Sequence, residues 1–196
     1  MGMVPETQGS EAFNDRLRLL LNTHREQLKP DVLQPKHDTV LLEQGAEADC
    51  LLLVNAGRLA IDVQQPGCPF RTIAIVNRGA VLGEMALFGE ARHGARVRAL
   101  DDDSEVLRFS RQSLNQAMLF DTELMAEILA ISSERCRKGN QLINLLLDGL
   151  DACVRRDADT LGTVCRGLRS GPDSIVSAAE QLERLLQRHD PPRHSP

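Results

Sequence analysis

The chain has no tryptophan, no tyrosine and only five phenylalanines. It therefore offers few flat faces on which unstacked bases could lie, which argues against single-stranded nucleic-acid binding. Basic charge is not in excess either. A net charge of −5 gives no general attraction to nucleic-acid phosphates or anionic lipid. No apolar run approaches the roughly 18 residues of a membrane span, and no basic-then-apolar start suggests a signal peptide. Met1-Gly2 is followed by Glu6 where N-myristoylation expects Ser or Thr. The five cysteines, Cys50, Cys68, Cys136, Cys153 and Cys165, never form Cys-x-x-Cys and leave one unpaired. That pattern suits reduced thiols better than a disulfide framework or a zinc site, and the expected compartment is the cytoplasm. Catalytic signatures are missing as well. There is no local Cys-His or Ser-His-Asp arrangement, no Gly-x-x-x-x-Gly-Lys-Ser loop, and no metal-ligand spacing among His24, His37, His93, His189 and His194. The expectation is a protein that is not an enzyme and holds no metal.

What is present is enough for a real core. Of 196 residues, 42 % are hydrophobic and 26 % charged, as in a soluble globular chain with room for one domain and extra helices. Residues 1–10 are polar with Pro and Gly and read as disordered. From Glu11 to about Leu28, Phe13, Leu17, Leu20 and Leu21 recur at helical spacing, and Lys29-Pro30 ends the helix. Short strands with glycine-bearing corners follow: 39–42, 51–54, 59–63, 71–76, 95–100 and 105–109. Their regular spacing argues for a closed or double-sheet β structure. Ser110 reads as the N-cap of a short helix with Leu114 and Met118 on one face, and Asp121 or Thr122 caps a much longer one.

In that long helix Met125, Leu129, Ser132, Cys136, Gly139, Ile143, Leu146 and Leu150 are spaced alternately four and three apart. The spacing is a heptad seam, which predicts a homodimer around Met125, Leu129, Ile143, Leu146 and Leu150; packing on the chain's own domain is the alternative. Two further amphipathic helices carry Leu161, Val164, Cys165 and Leu168, then Ile175, Ala179, Leu182 and Leu186, before a polar tail. The organisation expected is 1–10 disordered, 11–121 a β core with flanking helices, 122–150 a long helix, and 151–196 a helical extension.

The stretch Gly83-Glu84-Met85-Ala86-Leu87 is the centre of the pattern. A glycine that admits a close backbone approach, an acid, and small apolar residues that start a helical turn make a cradle for an anion. With Gln44-Gly45-Ala46-Glu47, the Leu51 to Gly57 strand and turn, Gly79, and Ala95-x-Val97-x-Ala99, the chain resembles the cyclic-nucleotide-binding domain of catabolite activator proteins, protein kinase A regulatory subunits and cyclic-nucleotide-gated channels. The resemblance covers roughly residues 15 to 147. It implies an α+β fold: an eight-stranded β-roll, or jelly roll, with an N-terminal helix, a long C-terminal helix over the ligand, and here a helical extension. It also implies cyclic AMP or cyclic GMP as ligand, with Glu84 accepting from the ribose 2′-hydroxyl and the backbone of Ala86 and Leu87 facing the phosphate.

One residue departs from that family. The arginine that clamps the phosphate should stand just before a small residue and the Ala-x-Val strand; His93 stands there, Gly94 is the small residue, and Arg92 lies one position early. Side chains alternate across a strand, so His93, Ala95, Val97 and Ala99 share the inward face while Arg92, Arg96 and Arg98 face outward, unless the loop before Ala95 bulges and lets Arg92 reach the phosphate. Replacing a charge-assisted bond by a neutral histidine costs on the order of 1.5–3 kcal/mol, roughly ten- to a hundredfold in affinity. Two readings stay open at each residue: Glu84 as ligand acceptor or as the turn's own cap, and His93 as phosphate contact or as a satisfied half-buried polar group.

The family's DNA-reading winged helix is not expected. Residues 148–196 hold seven Arg and Lys against eight Asp and Glu, which is no basic footprint for phosphates. The function expected is a regulatory module that senses a small phosphate-containing ligand and passes the change through its long helix to a dimer or protein partner. The alternatives are a ligand-independent scaffold for protein–protein contact and, less favoured, a transcription regulator. Neither nucleic acid nor membrane is expected as a partner.

Overall fold

The computed structural model describes residues 8–88, 92–169 and 173–188. Of residues 1–10, expected to be disordered, 1–7 lie outside them and 8–10 are helical; the polar tail 189–196 and the side chain of Leu186 also lie outside them. Two compact units are present, 1–135 and 136–196.

In the first unit α1 (Gln8–Thr23) begins three residues ahead of the start expected from the apolar stripe, and the helix does not run unbroken to Leu28. It breaks at His24, and a single turn, α2 (Arg25–Leu28), closes with Lys29 in the left-handed conformation. Among the described residues eight strands follow: β1 (Asp31–Leu33), β2 (Val40–Leu42), β3 (Cys50–Ala56), β4 (Leu59–Val63), β5 (Arg71–Val76), β6 (Val81–Leu82), β7 (Arg96–Ala99) and β8 (Glu105–Ser110). They form two antiparallel sheets of four strands, ordered β1-β8-β3-β6 and β2-β7-β4-β5.

The unbroken apolar run of β3 is explained by its position. Cys50, Leu52 and Val54 join Leu42, Leu59, Leu82, Val97, Ala99 and Val106, residues of both sheets, in one core. Leu51 and Leu53 point the other way, into a second core with Leu17, Leu21, Phe109, Leu114 and Ile128. A strand buried on both faces loses the alternation that one solvated face would impose. The second sheet is polar on its outer face. There Asp62, 1 % exposed, accepts from Thr72 Oγ1 (2.7 Å), Arg96 Nη2 (2.8 Å) and Arg98 Nε (2.9 Å). Arg96 and Arg98 thus face outward while Val97 and Ala99 face in.

Caps fix where the helices begin. Ser110 accepts from Ser113 N at the start of α3 (Arg111–Phe120), as expected. Asp121, rather than Thr122, accepts from the Glu123 and Leu124 amides at the start of α4 (Thr122–Arg155) and also meets His24 Nε2 at 2.6 Å. Leu124, Ile128 and Ile131, one apolar stripe of α4, complete the core of the first unit.

The described residues of the second unit are helical apart from two short junctions and contain no strand. The end of α4, α5 (Ala158–Leu168) and α6 (Asp173–Arg188) bury Ala152, Leu161, Val164, Cys165, Leu168, Ala179 and Leu182. Leu146, expected in the heptad seam, packs against this core instead. An α-helix turns every 3.6 residues and drifts off a strict seven-residue repeat, so Leu147 takes that place on the exposed stripe with Ile143, Leu150 and Val154.

Candidate functional site

Gly83 adopts φ +90°, a left-handed conformation open to glycine, and starts a single 3₁₀ turn, Glu84–Ala86. A Cβ there would lie 2.8 Å from the carbonyl oxygen of Cys50, so the turn sits directly on the backbone of β3. The expected helical start is no longer than this turn. Its closing bond, Leu87 N to Glu84 O at 3.1 Å, engages one of the two amides expected to face a phosphate. Met85 and Phe88 are exposed, and Leu87 is buried in the core beside α3 and α4.

Two arginines from different helices hold the turn. Arg111, the first residue of α3, donates to Leu87 O at 3.2 Å. Arg135, on α4, donates to Val81 O at 2.5 Å and places Nη1 2.5 Å from Glu84 Oε1. The alignment at Glu84 Oε1 is not that of a hydrogen bond, so this contact is held by charge. Glu84 is only 1 % exposed, and an acid this deep needs a cation beside it. One turn before Arg135 on the same face of α4, Ser132 Oγ is buried without a hydrogen-bond partner, a gap a bound polar group would fill.

The segment after the cradle places the remaining candidates. Arg92 is exposed, bridges Glu47 in backbone pairing, and donates Nη1 to Gly45 O at 2.7 Å. The His93 backbone is held from both sides, by Gly45 N (2.7 Å) and Ala46 O (3.0 Å). The residue is buried, 5 % exposed, beside Asp49 and Cys50; one ligand atom of each lies within 4.8 Å of the others. Burial pushes the imidazole below its ordinary value, more than the Asp49 carboxylate lifts it. Burial likewise pushes the Cys50 thiol up, against the opposing contact with Arg108. Arg108 donates to Asp49 Oδ2 at 2.7 Å. Gly94 is exposed and Ala95 partly so.

Gly83, Glu84, Ala86 and Leu87 are therefore gathered in one turn, and His93 lies in a neighbouring polar cluster under β3. Sequence reasoning missed Arg135, Asp49, Cys50 and Arg108. Arg135 sits fifty-one positions after Glu84, inside a heptad pattern that draws attention only to apolar residues.

The protein family described as cyclic nucleotide-binding domain matches residues 34–119. A lysophospholipase, nte1 of Neosartorya fischeri, is 27 % identical over 105 residues; these are 54 % of this chain but 7 % of that protein. Thermus thermophilus Catabolite Activator Protein is similar in structure with a TM-score of 0.57 at 20 % identity, over 95 % of this chain and 84 % of that one. The c-di-GMP responsive global regulator CLP of Xanthomonas campestris gives 0.57 at 19 % identity, over 85 % and 89 %. At these identities the structural likeness is one of fold. No helix among the described residues is long and apolar enough to cross a membrane.

Proposed function

We propose, from the premise that residues 34–119 belong to the cyclic nucleotide-binding domain family, that this chain is a regulatory module whose ligand seats on the Gly83–Leu87 turn and acts through α4. The two four-stranded sheets then serve as the family's β-roll, with cyclic AMP or cyclic GMP as the ligand class. The observation that carries the reading is the Glu84–Arg135 pair. The acid suited to a ribose hydroxyl is also the residue that holds α4, so a ligand hydroxyl at Glu84 must share or replace that contact. Displacing or strengthening it changes how α4 is held, which is a means of passing binding on to the helix. The unpartnered Ser132 hydroxyl adds support.

Titration calorimetry with cyclic AMP and cyclic GMP at high-micromolar protein tests this reading. Heat with either nucleotide at pH 7.5 is the expected result; flat traces with both, there and at pH 6, would overturn it. The pH dependence has a definite sign. Because burial lowers the His93 pKa, the ring is uncharged at pH 7.5 and gains its cation only below the ordinary value of about 6.5. Any gain in phosphate affinity through His93 therefore comes below about pH 6.5, not between pH 8 and 7.

A second reading, a ligand-independent scaffold, is favoured by the same region. Arg92 is engaged with Gly45 O and His93 lies against Asp49 and Cys50, and flat traces would select it. In either case we propose that α4 pairs with a second copy through exposed apolar residues, Met125 and Leu129 in the first unit and Ile143, Leu147, Leu150 and Val154 in the second. Sedimentation velocity should show a dimer at tens of micromolar, and a monomer there would refute the pairing.

A further inference from the structure

We propose that Asp49, Cys50 and His93 form a binding site for a divalent transition-metal ion of the zinc class. Their ligand atoms, a carboxylate oxygen, Sγ and an imidazole nitrogen, all lie within 4.8 Å of one another. Zinc holds oxygen, nitrogen and sulfur at about 2.0–2.3 Å in a tetrahedron, which sets its ligand atoms roughly 3.3–3.6 Å apart. Closing the remaining distance takes a side-chain adjustment of about 1 Å, and Asp49, whose side chain is 59 % exposed and hydrogen-bonded to Arg108 through Oδ2, has room to make it.

The backbone under the three ligands is fixed by bonds independent of any metal. Cys50 pairs with Ser110 across β3 and β8. The Asp49 carbonyl accepts from Arg111 N at 2.7 Å, and His93 is held by Gly45 and Ala46. Ligands on fixed backbone lose little freedom when the ion arrives. Asp49 precedes the first residue of β3, so it escapes the strict alternation that would send the side chains of two adjacent strand residues to opposite faces.

The chemistry favours an ion over a reactive thiol. A cysteine nucleophile needs a substrate beside it, and Cys50 is 2 % exposed. A small cation has a way in past the exposed Asp49 and needs only the lone pairs. The set of one thiolate, one imidazole and one carboxylate suits zinc and its neighbours rather than magnesium or calcium, which take oxygen ligands. Arg108 faces the cluster from β8 and donates to Asp49. It is one positive charge against two anionic ligands, and its bond orients the carboxylate as an outer partner does. No spacing rule finds such a site, because His93 is forty-three positions from Cys50, and the expectation of no metal rested on such rules.

Cobalt(II) is the probe, because a cobalt–thiolate bond absorbs in the near ultraviolet and a tetrahedral site gives strong visible bands. The chelator-treated full chain should bind one cobalt per molecule with both features, and zinc should displace it. Cys50→Ala and His93→Gln should each weaken binding more than the roughly 10–100-fold that loss of an outer partner costs. Asp49→Asn, at an exposed position that leaves the core untouched, should weaken it in the same direction. Cys68→Ser and Cys136→Ser, at exposed cysteines, should leave it unchanged. Absence of the thiolate band in the wild-type chain would overturn the assignment, as would its survival in Cys50→Ala.

Discussion

Replacing Arg135 with alanine should destabilise the first unit by about 3–5 kcal/mol, the range for a buried ion pair broken from one side. The magnitude comes from what is left behind. Glu84 is 1 % exposed, its Oε1 is 2.5 Å from Arg135 Nη1, and that oxygen has no hydrogen-bond partner to stand in. Val81 O would lose its Arg135 donor as well. Adding Glu84→Gln to Arg135→Ala removes the stranded charge, so the double variant should recover more than half of the loss. Urea denaturation of the wild type, Arg135→Ala, Glu84→Gln and the double variant measures this directly. A single variant within about 0.5 kcal/mol of wild type, the usual range for a surface change, would show that the pair does not hold α4 to the cradle.

Gly83→Ala should cost roughly 2–4 kcal/mol by two separate routes. The first is conformational: φ is +90°, where a Cβ meets the chain's own backbone at about 1–2 kcal/mol. The second is contact. The new Cβ would lie 2.8 Å from Cys50 O, and that oxygen belongs to a strand hydrogen-bonded to β6 and β8 on its two sides, so it cannot retreat cheaply. Moving the turn instead would drag Glu84 away from Arg135 and Leu87 O away from Arg111. Gly94→Ala is the control, because that position is exposed with nothing within 4 Å of an added Cβ. It should change stability by less than about 0.5 kcal/mol. Equal stability of the two variants would mean that the cradle does not rest on β3.

The parts of the fold visible in the chain were those with a local cause. Ser110 and Asp121 cap helices because a short oxygen-bearing side chain before an apolar period has little else to do. Arg96, Val97, Arg98 and Ala99 alternate across a sheet as parity requires. β1 was not visible: three residues between two prolines carry no readable period, and it exists through its pairing with β8. The long helix itself was legible, but the strict seven-residue frame placed Leu146 on the outer seam, whereas it packs against the core of the second unit.

The site divides the same way. Gly83 and Glu84 were legible as a tight turn because a turn is a local device, and His93 was singled out by counting back from Ala95. The surroundings of His93 were not legible, since Asp49 and Cys50 come near it only through the fold. Arg135 was hidden for the same reason, being brought to Glu84 by the packing of Leu124, Ile128 and Ile131.

Calorimetric titration of cyclic AMP and cyclic GMP into the wild-type chain and Glu84→Gln at pH 7.5, with circular dichroism confirming that the variant is folded, tests the central claim most directly. A cradle that reads its ligand through Glu84 predicts heat in the wild type that is lost or strongly weakened in the variant. Equal heats in both proteins, or none in the wild type, would contradict it.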